Sequence, residues 1–264
     1  MSARETSQPF YIVTEKILVG NEKLRSDWDV AGTTGYDFLG LVNGLFIDPN
    51  RRRAFQRLYE SFAGASLGSD DLVYACKRLI LQTSMSGELS VLASKLDKIS
   101  EQHRWSRDFT LSSLRHVLRE TIACFPIYRT YTTDRASALD PEDERHIRAA
   151  IGRARARNQS TDESVFTFLQ NLLLLQDPES IDEAQRLERR EFIMSFQQFT
   201  GPVMAKGLEG HGLLSLFSAG IDERSRRQSQ AVWKFARRFP RPQRGTSPLL
   251  ALCAPGDLHA RFQA

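Results

Sequence analysis

The sequence lacks any uninterrupted apolar run approaching the ~18 residues of a membrane span, so no membrane partner is expected. It also lacks a secretory signal: Met1-Ser-Ala-Arg-Glu5 has no apolar core, and a cytoplasmic location is expected. Cysteine is scarce. Cys76, Cys124 and Cys253 are widely spaced and odd in number, which argues against a disulfide framework or a zinc site and suits a reducing compartment. His103, His116 and His146 show no metal-ligand spacing, and neither a metal nor a cofactor is expected. No fixed-period repeat is visible, which excludes a solenoid.

What is present is a chain of 264 residues, 41% hydrophobic and 26% charged, the composition of a globular protein of one or two domains. The net charge of +4 invites a nucleic-acid reading, but its distribution argues against one. Residues 210–264 hold Lys234 and eight arginines against Asp222, Glu223 and Asp257, a balance of +6, which leaves −2 for residues 1–209. Arg51-Arg-Arg53 and the alternating Arg153, Arg155 and Arg157 read as solvated helix faces rather than a phosphate-binding stripe.

Residues 10–19 carry Phe10, Tyr11, Ile12 and Val13 before Glu15, then Ile17, Leu18 and Val19. A run apolar on both faces predicts a buried strand of a parallel sheet. Residues 20–44 read as loop-rich, and Asp48-Pro49 as a helix start. From about 50 to 196 the period becomes helical. Phe55, Leu58, Tyr59 and Phe62 fall at i, i+3, i+4 and i+7; Leu89, Leu92, Leu96 and Ile99 repeat the pattern, as do Leu111, Leu114, Val117 and Leu118. Asp140-Pro141-Glu142-Asp143 predicts a helix start, and Thr161-Asp-Glu-Ser a cap before Val165, Phe166, Phe168 and Leu169. Phe125-Pro-Ile-Tyr-Arg-Thr-Tyr131 reads as extended. Pattern alone predicts a mainly α protein with one or two strands.

Tyr11-Ile-Val-Thr-Glu15-Lys16-Ile-Leu and Ala31-Gly-Thr-Thr-Gly-Tyr36-Asp37-Phe together resemble the maltooligosyltrehalose synthase family of the α-amylase clan. So do Glu120-Thr-Ile-Ala-Cys-Phe-Pro-Ile-Tyr-Arg-Thr-Tyr131 and Gln198-Phe-Thr-Gly-Pro-Val-Met-Ala-Lys206-Gly-Leu-Glu209. The resemblance covers roughly residues 8 to 209. It implies a partial (β/α)8 barrel carrying a large helical insertion: residues 1–48 in the barrel, 49–196 in the insertion, 197–209 returning to the barrel. The implied reaction is an intramolecular transglycosylation without a cofactor, classed as an isomerisation. It turns the reducing-end α-1,4 linkage of a maltooligosaccharide into an α,α-1,1 linkage.

Retaining glycosidic chemistry needs two carboxyl groups about 5–5.5 Å apart. Position in the family string makes Glu15 the acid/base, and its apolar flanks suit an acid, since desolvation disfavours the carboxylate form. By residue type alone the favoured reading is that Glu15 ends the strand in an ion pair with Lys16 or another base. The resemblance also makes Lys206 a contact of the reducing-end sugar, and Tyr36 and Asp37 candidates for stacking on a sugar and gripping its hydroxyls. The family's nucleophilic aspartate, in an Arg-x-Asp-His-x-Asp-Gly-like motif, has no counterpart in the nine residues before Phe10, so Met1 is expected to be an internal or misassigned start.

The family's third carboxylate is missing in this frame. Gly210-His-Gly212 read one base later can encode Asp-Thr-Ala, which continues Gly-Leu-Glu209 as the family string; Asp257 to Ala264 read likewise can encode Ile-Ser-Thr-His-Asp-Ser-Lys-Arg. Two ordered matches imply a frameshift just after Glu209, with residues 210–264 an out-of-frame tail and the chain an inactive fragment. The competing readings are a non-catalytic helical interaction module, suggested by the abundance of helix, and a basic nucleic-acid-binding protein, which rests only on the tail.

Overall fold

The computed structural model describes residues 10–212 apart from 21, 47, 52, 55–56, 59–60, 62–68, 135 and 137. The expected tail beyond 212, and the positions of Phe55, Tyr59 and Phe62, lie outside the described residues.

The described chain is mainly helical. The apolar spacings of the sequence become the buried stripes of α2 (Ser69–Gln82), α3 (Ser86–Glu101), α4 (Leu111–Ala123), α5 (Pro141–Arg157), α6 (Glu163–Leu173) and α7 (Glu183–Met204). Leu89, Leu92, Leu96 and Ile99 of α3 meet Leu114, Val117 and Leu118 of α4 in one continuous core. Leu111 departs from its stripe: as the first residue of α4 it stands exposed. At the centre, Phe125 packs edge-on to Phe196 with ring centroids 5.7 Å apart. Burying such side chains contributes roughly 1.5–3 kcal/mol each.

Caps set the helix starts. Asp140 accepts from the Glu142 N–H at 2.8 Å with Pro141 behind it, as the sequence predicts. Within Thr161-Asp-Glu-Ser the cap of α6 is Asp162, accepting from the Ser164 N–H at 2.9 Å. Asp182 and Gln185 form a reciprocal capping box at 2.8 and 3.0 Å. α7 runs unbroken through positions 196 and 197, so the expected return to the barrel at 197 falls inside a helix. Pro202 forfeits its N–H near the end of α7, and the backbone then widens into a π-helical segment, Ala205–Gly212. That segment packs on α2.

The sheet is smaller than predicted. β1 is Val13–Thr14 alone, paired in parallel with β2, Gly32–Thr33, in the register Val13 to Gly32 and Thr14 to Thr33. The parallel sense agrees with the apolar pattern; the burial does not. Phe10 is 93% and Tyr11 83% exposed, because the pattern of a two-faced strand needs covering layers on both sides. Residues 20–44, read as loop, contain β2 and a further helix, α1, Tyr36–Gly44, none of whose residues is buried. Asp48-Pro49 starts a 3₁₀ turn, Pro49–Arg51, with Asp48 accepting from the Asn50 N–H at 2.9 Å.

Two junctions explain why the longer strings of the sequence belong together. The extended stretch after Phe125 is clamped by the buried Gln197 side chain. Its carbonyl accepts from the Thr130 hydroxyl at 3.2 Å and the Thr132 N–H at 3.0 Å, and its amide donates to the Thr132 carbonyl at 2.7 Å. Residues 16–28 are held by Arg25, 3.3 Å from Asp143, and by Trp28, which meets the Tyr131 ring edge-on at 4.8 Å.

Candidate active site

The β1–β2 pairing brings the ends of two strings to one place. Thr14 lies beside Thr33, so Glu15 leaves β1 next to the loop that opens α1. Gly35 occupies the left-handed region (φ 113°), where a side chain would be strained, and so directs the chain into α1 at Tyr36. The Tyr36 hydroxyl donates to Glu15 Oε1 at 3.3 Å. One residue further, the Asp37 carboxylate accepts from the Thr33 hydroxyl at 3.0 Å. Glu15, Tyr36 and Asp37 thus form one cluster on the Thr33–Gly35 turn.

The same geometry bears on the ion pair with Lys16 expected from residue type. The Lys16 ammonium pairs with Glu22 at 2.6 Å and lies 4.9 Å from the centre of the Tyr131 ring. Lys16 is therefore a buried anchor, not the partner of Glu15. The desolvation expected around Glu15 is not found: the residue is exposed, as are Tyr36 and Asp37. Of its apolar neighbours in sequence, Phe10 to Val13 are exposed, whereas Ile17 to Val19 are partly buried, Val19 against the helical core. Lys206 stands apart from the cluster. It is exposed on the π-helical segment, and among the described residues no hydrogen bond or ion pair joins it to Glu15, Tyr36 or Asp37. Its neighbour Gly207 abuts α2 so closely that a Cβ there would lie 2.7 Å from Lys77 Cγ.

Sequence reasoning missed a second constellation. A cavity of about 800 Å³ opens between α2, α5 and the segment after α4, and its lining includes Tyr74, Lys77, Cys124, His146, Arg153 and Arg157. It does not include Glu15. Lys77 is buried, its ammonium donates to the Phe125 carbonyl at 2.8 Å, and burial pushes its pKa down to about 8. Burial likewise pushes the Cys124 thiol up to about 11. Tyr74 is raised to about 12, first by burial and then by its hydrogen bond to Glu120. Glu120 is fully buried; burial works against its charge, but donors from Tyr74 and Arg119 and the charge of Arg78 outweigh it and hold the carboxyl below its usual range. His146 is held low by burial and by Arg145. The signal in the sequence was a lysine on an apolar stripe, for Tyr74, Lys77 and Leu81 fall at i, i+3 and i+7.

No family model and no curated protein matches the chain. Solved structures do. The maltooligosyltrehalose synthase from Arthrobacter ramosus and a point mutant of it match at 25% identity over 75% of this chain, with TM-scores of 0.56 and 0.58. The chain shares the fold of part of a trehalose-forming enzyme. It spans 22% of the length of those synthases. Among the described residues no helix is long and apolar enough to cross a membrane.

Proposed function

We propose that the chain carries the acid/base strand and the helical insertion of a maltooligosyltrehalose synthase, and that Glu15 is the acid/base. The observation that carries this reading is the structural likeness to such synthases over three quarters of the chain. The meeting of Glu15 with Tyr36 on a parallel strand pair supports it, since barrel enzymes place their chemistry where parallel strands end. β1, β2 and α1 are then one edge of a (β/α)8 barrel whose remaining strands cover Phe10, Tyr11 and α1.

In the proposed reaction Glu15 protonates the glycosidic oxygen of the reducing-end α-1,4 linkage, and a second carboxylate attacks the anomeric carbon. The released glucose turns within the site. Glu15 then takes the proton from its anomeric hydroxyl, which attacks the glycosyl intermediate and closes the α,α-1,1 linkage. The Tyr36 hydroxyl orients the Glu15 carboxyl, Asp37 grips sugar hydroxyls from its seat on Thr33, and Lys206 donates to the reducing-end sugar once the barrel is complete. The nucleophile and the third carboxylate come from outside residues 10–209, the latter from the coding text one base out of frame after Glu209.

The test is a chain with its upstream segment restored and the frame shifted back after Glu209, incubated with maltopentaose while reducing ends are counted. The expected result is loss of reducing ends without release of glucose, and no turnover by the chain as it stands. A restored chain that only hydrolyses, or an unrestored chain that isomerises the substrate, overturns the reading.

A further inference from the structure

The cavity between α2 and α5 is not explained by transglycosylation. Its volume, about 800 Å³, is that of a small-molecule site. Four cationic side chains other than histidine line it, and they divide into two kinds. Arg145 is bound to Glu142, and Arg157 to Asp71. Arg153 and Lys77 have no carboxylate partner among the described residues. Arg153 is exposed, whereas Lys77 is 2% exposed and uses one of its three donors on the Phe125 carbonyl. Both line the cavity.

A buried ammonium with donors left over is costly unless an anion reaches it, and Arg153 adds a second positive charge to the same cavity lining. The acids of the lining do not meet that need. Glu22 is spent on Lys16, and Asp70 is exposed in the first turn of α2. Two uncompensated positive charges match one phosphate monoester, which carries about −1.5 to −2 at pH 7. Val73, Ile127, Ala149 and Met204 make part of the remaining wall apolar, and the cavity leaves room for far more than a phosphate group.

We propose that this cavity binds a small phosphate monoester, its phosphoryl group held between Lys77 and Arg153 and its organic part against the apolar wall. The inference does not depend on the catalytic reading, since it uses neither Glu15 nor a sugar chain.

Calorimetric titration of the full chain tests it, with glucose 6-phosphate, inorganic phosphate and glucose as probes. Glucose 6-phosphate is expected to saturate one site, and Arg153→Ala to weaken it at least about tenfold, the loss of one charge-assisted contact. Arg148→Ala, on the same helix but paired with Glu144, is expected to leave the affinity unchanged. Lys77→Met is expected to abolish binding; should it fail to fold, Arg153→Ala alone decides. Absence of saturation with glucose 6-phosphate, or an unchanged affinity in Arg153→Ala, overturns the site. Inorganic phosphate binding as tightly as the ester, or glucose binding at all, overturns the assignment of a phosphate monoester.

Discussion

The strand–loop–helix region of residues 10–46 and the helical region from Ser69 to Met204 have comparable apolar content and opposite fates. In the helical region each apolar stripe meets another: Leu81, Leu96, Leu114, Leu118 and Leu169 are withdrawn from water completely. In the first region Phe10, Tyr11, Phe38, Leu41, Leu45 and Phe46 are all exposed, and α1 buries nothing. The difference lies in what each element needs as a partner. Amphipathic helices close a core among themselves when several follow in sequence. A parallel strand pair does not, since its neighbours come from distant crossovers and both its faces need cover. The helical region closes a continuous core; the strand region leaves its apolar side chains exposed. Glu15 sits in the strand region, and the cavity is walled mainly by helices, with Val19, Gly20 and Glu22 of the first region also in its lining.

The contrast can be broken first at Glu15. In the restored, in-frame chain Glu15→Gln is expected to lower turnover by about 10²–10⁴-fold with the fold intact, because the amide keeps the shape but cannot deliver the proton. Full activity in that variant removes Glu15 from the reaction. Stability measurements address the two regions directly. Phe196→Ala is expected to cost about 3–5 kcal/mol in urea unfolding, whereas Phe46→Ser, at an exposed position, is expected to change stability by less than about 0.5 kcal/mol. Equal losses at the two positions would mean that the strand region closes a core of its own.

A pH series sharpens the picture of the helical region. Lys77 is lowered from 10.5 to about 8, so between those values the unfolded chain holds a proton that the folded chain has lost. Stability therefore rises with pH from about 8, by up to about 3 kcal/mol over the whole interval. Cys124, raised from 9.0 to about 11, opposes this above pH 9, since there the unfolded thiol ionises first. Chemical denaturation of wild type and Lys77→Met between pH 7.5 and pH 9 is expected to show a rising limb in the first and none in the second. The smallest effect is expected at Arg148→Ala. Its pairing with Glu144 is solvent-exposed, and its loss is expected to change urea stability by less than about 0.5 kcal/mol.

The helices of the helical region were legible because their determinants are local. Leu89 to Ile99, the Asp140-Pro141 start and the Phe166 stripe each state their period within a turn or two. The cap of α6 was local as well: within Thr161-Asp-Glu-Ser it is Asp162 that accepts from the first turn. The strand was over-read for the opposite reason. Phe10 to Val13 has the composition of a buried strand, yet burial belongs to the partners, and two residues of ladder are what β2 supports. Glu15, Tyr36 and Asp37 were legible as a group through family strings, and the turn at Gly35 gives that grouping a physical cause.

By itself, then, the sequence determined the helical period, the helix starts, the parallel sense of β1 and the identity of a carboxylate at its end. These depend on neighbours within a few residues, where sterics and short hydrogen bonds dominate. Only the tertiary structure decided that Lys16 turns inward to Glu22, that Gln197 clamps the stretch after Phe125, and that Lys77 and Arg153 share one cavity. Those outcomes join residues that are as much as 76 positions apart. Their energies come from desolvation and from charges meeting across helices, which no local pattern encodes.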